Sequence, residues 1–403
     1  MPVIPKTIIY PLHFLRSWFH QNQSADNRFR VSFGRQLGED VETIPLGRAR
    51  AGIYLLIKHI VTSRRRRVIV SPYTIPDVVN MIKFAGGEPV FVDCLPKSTN
   101  IDIAQLSKLI DEETAAVIVT HYHVNQDKID QIFQICHERD IAFYDDCALS
   151  IGAQVGNISI GRVTDASIFS FSGFKTLNFF WGGAITTQST SLARALCAEV
   201  DRWPRLRPAQ YATQMLKIII ISLATSRLTY PLIVFPLLSR SIRDGQINEI
   251  LPMSRIESTY LESTIATRPS LAALGEWTRK LGSIDQIVTH RRLIGAIYDR
   301  YFESISVSRE SSVITKAGSS YVNYPIVVDE KQRNRIYKEI LSKKFDVGLS
   351  LYPNVHEVEG FTDIHGYSHN ISRLVRSIIT LPTHLRVNSE YARALAECVR
   401  GIV

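Results

Sequence analysis

The feature that most constrains the fold is a regular alternation of helical and strand patterns between residues 44 and 193. Short apolar runs without polar alternation are separated by segments with helical periodicity. Strands of this kind are buried on both faces, which predicts a mostly parallel sheet covered by helices. The segments that carry the pattern are ARAGIYLLIKHIV, RVIVSPY, DVVNMIKFAGG, EPVFVD, NIDIAQLSKLIDEE, AAVIVTHYH, KIDQIFQICHERD and IAFYDDCA.

Polar residues follow several of these predicted strands at the point where each strand ends. The short sequences SPY, THYH and DDCA occupy such positions. Ligands of open α/β sheets bind beyond the carboxyl ends of the strands. We therefore expect these three sequences to meet at one edge of the sheet and to form the binding site there.

The C-terminal part of the chain has a different pattern. Long helical segments precede a strand, SYVNYPIVVDE, a helix, QRNRIYKEILSKKF, and a closing helix, SEYARALAECVRG. A chain of 403 residues is also too long for one ordinary core. We predict an N-terminal extension (1–32), a large α/β domain (33–254) and a smaller C-terminal α+β domain (255–403).

Composition places the chain among folded globular enzymes, with 45% hydrophobic and 21% charged residues. Its five cysteines are an odd number without paired spacing, which indicates reduced thiols in a cytosolic protein and no zinc or other metal site. The N-terminal segment has neither a clean apolar core nor a small-residue cleavage site, so a signal peptide is not expected. The predicted location is the cytoplasm.

The formal net charge of +9 is partly concentrated in the run Arg64–Arg67. Such a run forms either an electrostatic patch for phosphate-rich partners or a solvated turn between a helix and a strand. The strand pattern that follows at once favours the turn. No zinc-finger spacing or RNA-binding signature accompanies the run, so no nucleic-acid partner is predicted.

A long apolar segment, Met215–Ser241, has the most unusual composition of the chain. Lys217, Arg227, Pro231 and Pro236 interrupt it, whereas a membrane-spanning helix needs about 20 largely uncharged residues. Two interpretations remain open. The segment lies in the interface of a membrane, which would place the protein peripherally on the inner face, or it forms a buried or dimer-interface helix.

An acidic pair and a lysine suggest the chemistry of the site. The pair lies in FYDDCALSIGA, and Lys175 follows in SIFSFSGFKTLNFFWGGAITT among aromatic, hydroxyl and glycine residues. A lysine amine forms a Schiff base with a cofactor aldehyde, and a carboxylate holds a protonated ring nitrogen. These two groups are the minimal equipment of a pyridoxal phosphate enzyme.

The order of these motifs resembles the DegT/StrS-type sugar aminotransferases, which are pyridoxal phosphate enzymes of fold type I. The likeness runs from about Phe33 to the C-terminus, apart from the apolar segment, and identifies the chain as a divergent member. It implies a fold type I α/β architecture, a homodimer, a keto-sugar substrate and an amino-acid donor. The segments that carry it are VIVSPYTIPDVVNMIKFAGGEPVFVD, NIDIAQLSKLIDEETAAVIVTHYH, IAFYDDCALSIGA, SFSGFKTLNFFWGGAITT, LYPNVH and ITLPTHL.

The resemblance assigns roles by position. Lys175 corresponds to the Schiff-base lysine, Asp146 to the aspartate on the pyridine nitrogen, and Ser170 to the serine that contacts the cofactor phosphate. Gly182 and Gly183 match the glycine pair of the turn behind the lysine. The segment ARAGIY corresponds to the phosphate-binding helix start, with Ala49, Arg50 and Ala51 at a helix N-terminus that favours an anion.

Other positions depart from the family pattern or are assigned more broadly. Arg50, Leu149, Ile75, Trp181 and Ala266 stand where the family commonly has threonine, glutamine, an aromatic residue, glutamate and asparagine. Tyr73 is a substitute for the missing aromatic residue. His121 is expected either to contact the cofactor or to be structural. Candidate substrate-pocket residues are Tyr352, His356 and Trp181; for the histidines His123, His356 and His384, packing is the favoured interpretation.

The leading functional prediction is a pyridoxal phosphate-dependent aminotransferase acting on a keto-sugar, linked to a nucleotide or a lipid, in amino-sugar and surface-glycan biosynthesis. The replaced residues Leu149, Ile75 and Ala266 motivate an alternative, a catalytically inactive binding or scaffolding protein of polysaccharide biosynthesis. Sugar dehydration is a third possibility. The dehydrating relatives carry histidine at the position of Lys175, so the lysine argues against it.

Overall fold

The computed structural model describes residues 24–122, 128–173, 175–179, 181–226, 228–237, 265–302 and 318–403. The α-helices there are α1 (Ser24–Leu37), α2 (Arg50–Ile60), α3 (Pro76–Phe84), α4 (Ile103–Leu109), α5 (Ile129–Glu138), α6 (Thr190–Val200), α7 (Pro208–Ala224), α8 (Leu271–Leu281), α9 (Ile284–Phe302), α10 (Arg333–Ser342), α11 (His369–Ser377) and α12 (Ser389–Arg400). The strands are β1 (Glu42–Leu46), β2 (Arg67–Val70), β3 (Glu88–Phe91), β4 (Thr114–Thr120), β5 (Ala142–Asp146), β6 (Gln154–Val155), β7 (Ile158–Ser159), β8 (Ala166–Ser170), β9 (Gly183–Thr187), β10 (Asn323–Val327), β11 (Gly348–Leu349) and β12 (Ile378–Pro382).

A central sheet of seven strands has the order β1-β9-β8-β5-β4-β2-β3. The five strands from β8 to β3 pair in parallel, whereas β9 runs antiparallel to both β8 and β1. Helices connect the parallel strands β2 to β5, as crossover connections require. The predicted α/β fold with a mostly parallel, helix-flanked sheet is confirmed.

Both faces of this sheet are covered, because successive side chains of a strand point to opposite sides. In β2, Val68 and Val70 pack in one apolar cluster together with α2 and α3. Ile69 between them packs in a second cluster with Phe143 and residues of α5. This double burial explains why the strands lack a polar alternation in the sequence.

A second sheet lies in the C-terminal part, with the antiparallel order β10-β12-β11. Residues of α9, α10 and α12 pack with it in one apolar cluster. The long helix α9 contributes Ile284 and Val288 to a cluster of the large domain and Tyr298 and Phe302 to that of the small domain. It therefore connects the two cores.

Two helices pack across the predicted domain limits. The limit at residue 32 falls inside α1, whose Phe29 and Phe33 are buried in the core. Helix α8, which we assigned to the small domain, packs on α1, and the rings of Phe29 and Trp277 lie 5.5 Å apart. Both helices thus belong to the core of the large domain. The predicted limit at residues 254 and 255 lies outside the described residues.

The run Arg64–Arg67 forms ion pairs with acidic residues at the amino end of the sheet. The first and last arginines of the run pair with neighbouring glutamates, Arg64 with Glu112 at 3.1 Å and Arg67 with Glu113 at 2.8 Å. Arg65 pairs with Asp140, Arg66 with Glu88, and Arg67 also with Asp111. These contacts agree with the turn interpretation, because the run precedes β2 whereas the predicted site follows that strand.

Most of the apolar segment Met215–Ser241 is helical. It comprises the end of α7 and a second helical segment, residues 229–237, which includes the π-helical turn Tyr230–Val234. We call α7 and residues 229–237, with Leu228 of the turn before them, the apolar helix pair. Within the described stretches, no helix has the length and apolar character needed to cross a membrane.

Candidate active site

The carboxyl ends of the parallel strands bring several predicted site residues to one edge of the sheet. Asp146 ends β5 and Ser170 ends β8. Tyr73 and His121 follow β2 and β4 within a few residues. The parallel register pairs Thr120 with Asp146, so the ends of β4 and β5 lie at the same level. This edge is where open α/β sheets bind ligands.

Lys175 lies in the loop between β8 and β9. The loop is held by backbone hydrogen bonds from Phe171 to Gly182 and from Phe179 to Phe171, with N···O distances of 3.0 and 2.8 Å. The Nζ of Lys175 donates a hydrogen bond to the Oη of Tyr352 at 2.9 Å. Burial lowers the pKa of the amine to about 8, and the nearby charge of Asp146 acts in the opposite direction. A lysine in this state is a good candidate for covalent chemistry.

Asp146 is a buried carboxylate, with 7% of its surface exposed. Its Oδ1 accepts a hydrogen bond from the backbone N–H of Ala148 at 3.0 Å. Burial raises the pKa of this carboxyl, although the Ala148 hydrogen bond and the charges of Lys175 and His121 oppose the rise. A cationic group beside the carboxylate would stabilise its charged form.

His121 and Asp145 form a fully buried pair directly behind Asp146. The Nε2 of His121 lies 3.1 Å from Oδ1 of Asp145. The backbone N–H of His121 donates to the carbonyl of Asp146, and Ser150 donates to the carbonyl of His121. The side chain of His121 therefore supports the end of β5 through Asp145, in agreement with the structural alternative for this histidine.

Three tyrosines pack together, and one of them, Tyr352, contacts Lys175. Tyr73 and Tyr122 have ring centroids 4.6 Å apart, and Tyr352 lies 5.9 Å from the first and 5.5 Å from the second. The hydroxyl of Tyr73 is within 3.0 Å of Oγ of Ser350, which comes from the small domain. The small domain thus completes the surroundings of Lys175.

Ser170, Ala49 and the glycine pair converge on the start of α2. Ser170 pairs with Gly183 across β8 and β9. A Cβ atom on Gly183 would lie 2.6 Å from Cα of Ala49, so only glycine permits this approach. Gly182 has a φ angle of +98°, and a Cβ there would lie 2.3 Å from the ring of Trp277. The hydroxyl of Ser170 is within 3.0 Å of that of Ser172.

The helix start itself suits an anion. Ala49 occupies the cap position of α2, and no described side chain caps the helix there. The first N–H groups of a helix lack intrahelical acceptors and carry partial positive charge. Ala51 lies in the first turn, as the resemblance implied. Arg50 has a protein partner in this structure, because its guanidinium pairs with the carboxylate of Asp77 on α3.

The structure buries Trp181, which we predicted as a substrate-pocket residue. Trp181 and Phe179 are 1% and 3% exposed and belong to the core of the large domain. The ring of Trp181 lies 5.5 Å from that of Tyr211 on α7, so the helix covers it. His356 contacts Ser368 and Phe91. Its Nδ1 lies 3.1 Å from Oγ of Ser368, and its ring packs on Phe91.

The replaced positions are accommodated by apolar packing. Leu149 is buried in the cluster that contains Tyr73 and Tyr122, and Ile75 and Ala266 pack against the neighbouring cluster. His384 has its backbone carbonyl 3.2 Å from a ring nitrogen of His290, and His123 lies outside the described residues. Our sequence interpretation did not assign Tyr122, Ser172 or Ser350 to the site. The position of Tyr122 within THYH could have indicated it.

The residues present fit pyridoxal phosphate. The helix start at Ala49, closed by Gly183 and flanked by Ser170, provides N–H and hydroxyl donors for a phosphate. The buried carboxylate of Asp146 provides an acceptor for a protonated ring nitrogen. Lys175 provides an amine whose pKa of about 8 leaves a larger unprotonated fraction near neutral pH than an ordinary lysine has.

Comparison with known proteins agrees with this geometry. GDP-perosamine synthase of Escherichia coli O157:H7 is 25% identical over 176 residues, which cover 44% of this chain and 48% of that protein. The UDP-4-amino-4-deoxy-L-arabinose–oxoglutarate aminotransferase of Shewanella sediminis is 31% identical over 150 residues, 37% of this chain and 38% of that enzyme. The matches thus span less than half the length of these curated relatives.

Among solved structures, PseC of Helicobacter pylori, an aminotransferase involved in the biosynthesis of pseudoaminic acid, superposes with a TM-score of 0.74. The alignment covers 100% of this chain and 98% of that one at 18% identity, which shows a shared fold. The model of the DegT/DnrJ/EryC1/StrS aminotransferase family matches residues 12–201 and 270–400. As its motifs predicted, the chain belongs to this family.

Proposed function

We propose that the protein is an aminotransferase that transfers an amino group from an amino acid to a nucleotide- or lipid-linked keto-sugar in the biosynthesis of amino sugars for surface glycans. The observation that carries the proposal is the arrangement of Lys175, whose amine contacts Tyr352 and lies close enough to Asp146 for the carboxylate to influence its pKa. The relatives are named as enzymes of nucleotide-linked sugars, which supports a nucleotide-linked keto-sugar as the substrate.

Enzymes of this family depend on pyridoxal phosphate, so the predicted cofactor is confirmed. When bound, this cofactor withdraws electrons from the carbon that carries the amino group and makes its proton acidic. The start of α2 and Ser170 would hold the phosphate, and Asp146 would hold the ring nitrogen in its protonated form. Each of these residues lies at the same edge of the sheet as Lys175.

Lys175 would move the proton during transfer. Its pKa of about 8 is suited to this task, because the amine both accepts and releases a proton readily near neutral pH. Tyr352 lies 2.9 Å from Nζ and orients the amine through its hydroxyl. Burial raises the pKa of Tyr352, so the hydroxyl remains protonated and offers an acceptor lone pair to Nζ.

Two finer statements complete the proposal. The protein would act as a homodimer, as the resemblance implied, and it would work at the inner surface of a membrane. The exposed leucines and isoleucines of the apolar helix pair support the location. The catalytically inactive alternative has less support, since the replacement of Leu149, Ile75 and Ala266 leaves Lys175, Asp146 and Ser170 in place.

The test is an amino-transfer assay with purified protein loaded with pyridoxal phosphate. Nucleotide-linked keto-sugars would be incubated with glutamate, and mass spectrometry would detect the amino sugar together with 2-oxoglutarate. We expect both products in equal amounts from the wild type and none from Lys175→Ala. A protein that binds the sugar nucleotide but yields no product with any amino donor would favour the scaffolding alternative.

A further inference from the structure

The apolar helix pair exposes an unusual set of side chains. Eight large aliphatic residues within a short stretch are between 37% and 76% exposed. Soluble proteins seldom leave so many neighbouring apolar side chains in water, and such patches mark contacts with proteins or membranes. The eight residues are Leu216, Ile219, Ile220, Leu223, Leu228, Leu232, Ile233 and Leu237.

The opposite side of the pair is anchored to both domains. Tyr211, Met215 and Ile218 of α7 are buried in the core of the large domain, in the same cluster as Trp181. The hydroxyl of Tyr230 donates to the carboxylate of Asp346 in the small domain at 2.8 Å. The exposed face is therefore part of a fixed structure that joins the two domains.

A second contact with the small domain lies between the two helices of the pair. The guanidinium of Arg386 donates to the backbone carbonyl of Thr225, and Phe235 packs against the apolar cluster of the small domain. The helix pair therefore contacts the small domain at the turn between its two helices and again in its second helix.

The composition of the exposed face favours lipid over protein. Its exposed large apolar side chains are all leucine or isoleucine, whereas the centres of protein interfaces are enriched in tyrosine, tryptophan and arginine. The family model matches residues 12–201 and 270–400, so the pair falls in a segment that the model does not match. The family model therefore offers no account of this face.

Positive charge accompanies the apolar face. Arg207, before the first turn of α7, and Lys217, beside Leu216, are both exposed. The formal net charge of the chain is +9. Basic residues next to an apolar helix face attract anionic lipid headgroups, and lysine extends its charged end to the headgroups while its stem remains in the apolar layer.

We propose that the exposed face of the apolar helix pair inserts into the headgroup and acyl boundary of a bilayer that contains anionic lipid. The helices lie in the plane of the membrane, and the two domains remain on its aqueous side. This inference deepens the membrane location proposed above. It does not depend on the aminotransferase reaction, because lipid binding is measured without substrate.

The test is flotation of the full-length holoprotein with vesicles of phosphatidylcholine, with and without phosphatidylglycerol. One variant carries Leu216→Gln, Ile220→Gln and Leu223→Gln on the exposed face. The matched control carries Ile158→Gln, Leu293→Gln and Leu385→Gln, three exposed apolar residues outside the pair. Cofactor absorbance and thermal unfolding of each protein report whether it is folded.

We expect the wild type and the control to float with vesicles, more strongly with phosphatidylglycerol. The face variant should lose at least about tenfold in vesicle binding while it keeps its cofactor, because three apolar side chains no longer leave water.

Two results would overturn the proposal. One is a wild type that does not bind vesicles; the other is a face variant that binds them as before but changes from dimer to monomer, which would assign the face to a second copy. A chain that binds vesicles but transfers no amino group would contradict only the proposed function.

Discussion

The active-site edge and the apolar helix pair depart from the usual distribution of residues in opposite ways. At the edge, the ionisable groups of Lys175 and Asp146 are withdrawn from water, and burial shifts the pKa of each. In the helix pair, leucine and isoleucine side chains remain in water. Buried ionisable groups and exposed apolar patches both cost stability, so each indicates a function that requires it. In the first region the proposed partner is a small molecule, and in the second the proposed partner is a membrane surface.

The first way to sharpen this comparison is to remove the charge of Asp146. Asp146→Asn keeps the shape of the side chain but cannot hold a ring nitrogen in its protonated form. We expect a loss of about hundredfold in kcat, since an electrostatic partner of the reacting system is removed. The measurement is the steady-state rate of amino transfer with cofactor at saturation.

Asp145→Asn is the matched control, because Asp145 pairs with His121 behind the site. Its effect on kcat should be clearly smaller than that of Asp146→Asn. Equal losses of kcat in both variants would contradict the assignment of Asp146 as the residue that holds the ring nitrogen.

A second comparison concerns stability. Gly182→Ala introduces a Cβ at a φ angle of +98°, within 2.3 Å of Trp277 in the core. We expect a loss of about 3 kcal/mol in the free energy of unfolding, from backbone strain and overpacking. Leu232→Ala, on the exposed face of the helix pair, should change it by less than about 0.5 kcal/mol. Denaturant unfolding of both variants measures the difference, and similar losses would contradict the exposed placement of Leu232.

The third comparison tests whether the small domain orients the lysine. Tyr352→Phe removes the hydroxyl that accepts a hydrogen bond from Nζ of Lys175. We expect kcat to fall about tenfold, because one hydrogen bond to the reacting amine is lost, and we expect little change in the free energy of unfolding. Tyr298→Phe removes a buried hydroxyl that donates to the carbonyl of Pro382. Tyr298→Phe should lower the free energy of unfolding and leave the rate per folded molecule unchanged. An unchanged rate in Tyr352→Phe would contradict the proposal that Tyr352 orients Lys175.

The smallest effect is a shift in pH. Burial disfavours the ammonium form of Lys175, so its unprotonated amine should become reactive toward acylating reagents with a midpoint of about pH 8, against 10.5 for an ordinary lysine. Asp146 raises this pKa, so the midpoint in Asp146→Asn should lie lower. Mass spectrometry of the labelled cofactor-free protein measures both midpoints. A midpoint near 10.5 would show that Lys175 is exposed to water, like the surface of the helix pair.

Much of the large domain could be predicted from the sequence, because strands buried on both faces have a continuous apolar pattern. The rule that ligands bind beyond the carboxyl ends of parallel strands then placed Asp146, Tyr73 and His121 at one edge. Lys175 and Ser170 required the resemblance to a family, since a lysine and a serine in an apolar segment have no distinctive pattern of their own.

Contacts between distant parts of the chain could not be predicted in this way. Ser350 reaches Tyr73 from the small domain, and α7 covers Trp181. The acidic partners of Arg64–Arg67 also come from separate segments. Local patterns report burial and periodicity, but they do not report which element covers which. For this reason the sequence did not indicate that α7 covers Trp181.

The central claim is that Lys175 carries the cofactor, and its most direct test is reduction with borohydride. Protein incubated with pyridoxal phosphate should show a visible absorption band that borohydride removes, and peptide mapping should find the reduced cofactor mass on Lys175. The band should be absent in Lys175→Ala. The account would be contradicted if the protein took up no cofactor. It would also be contradicted if the reduced cofactor were found on Lys280, another lysine whose pKa is lowered by burial to about 8.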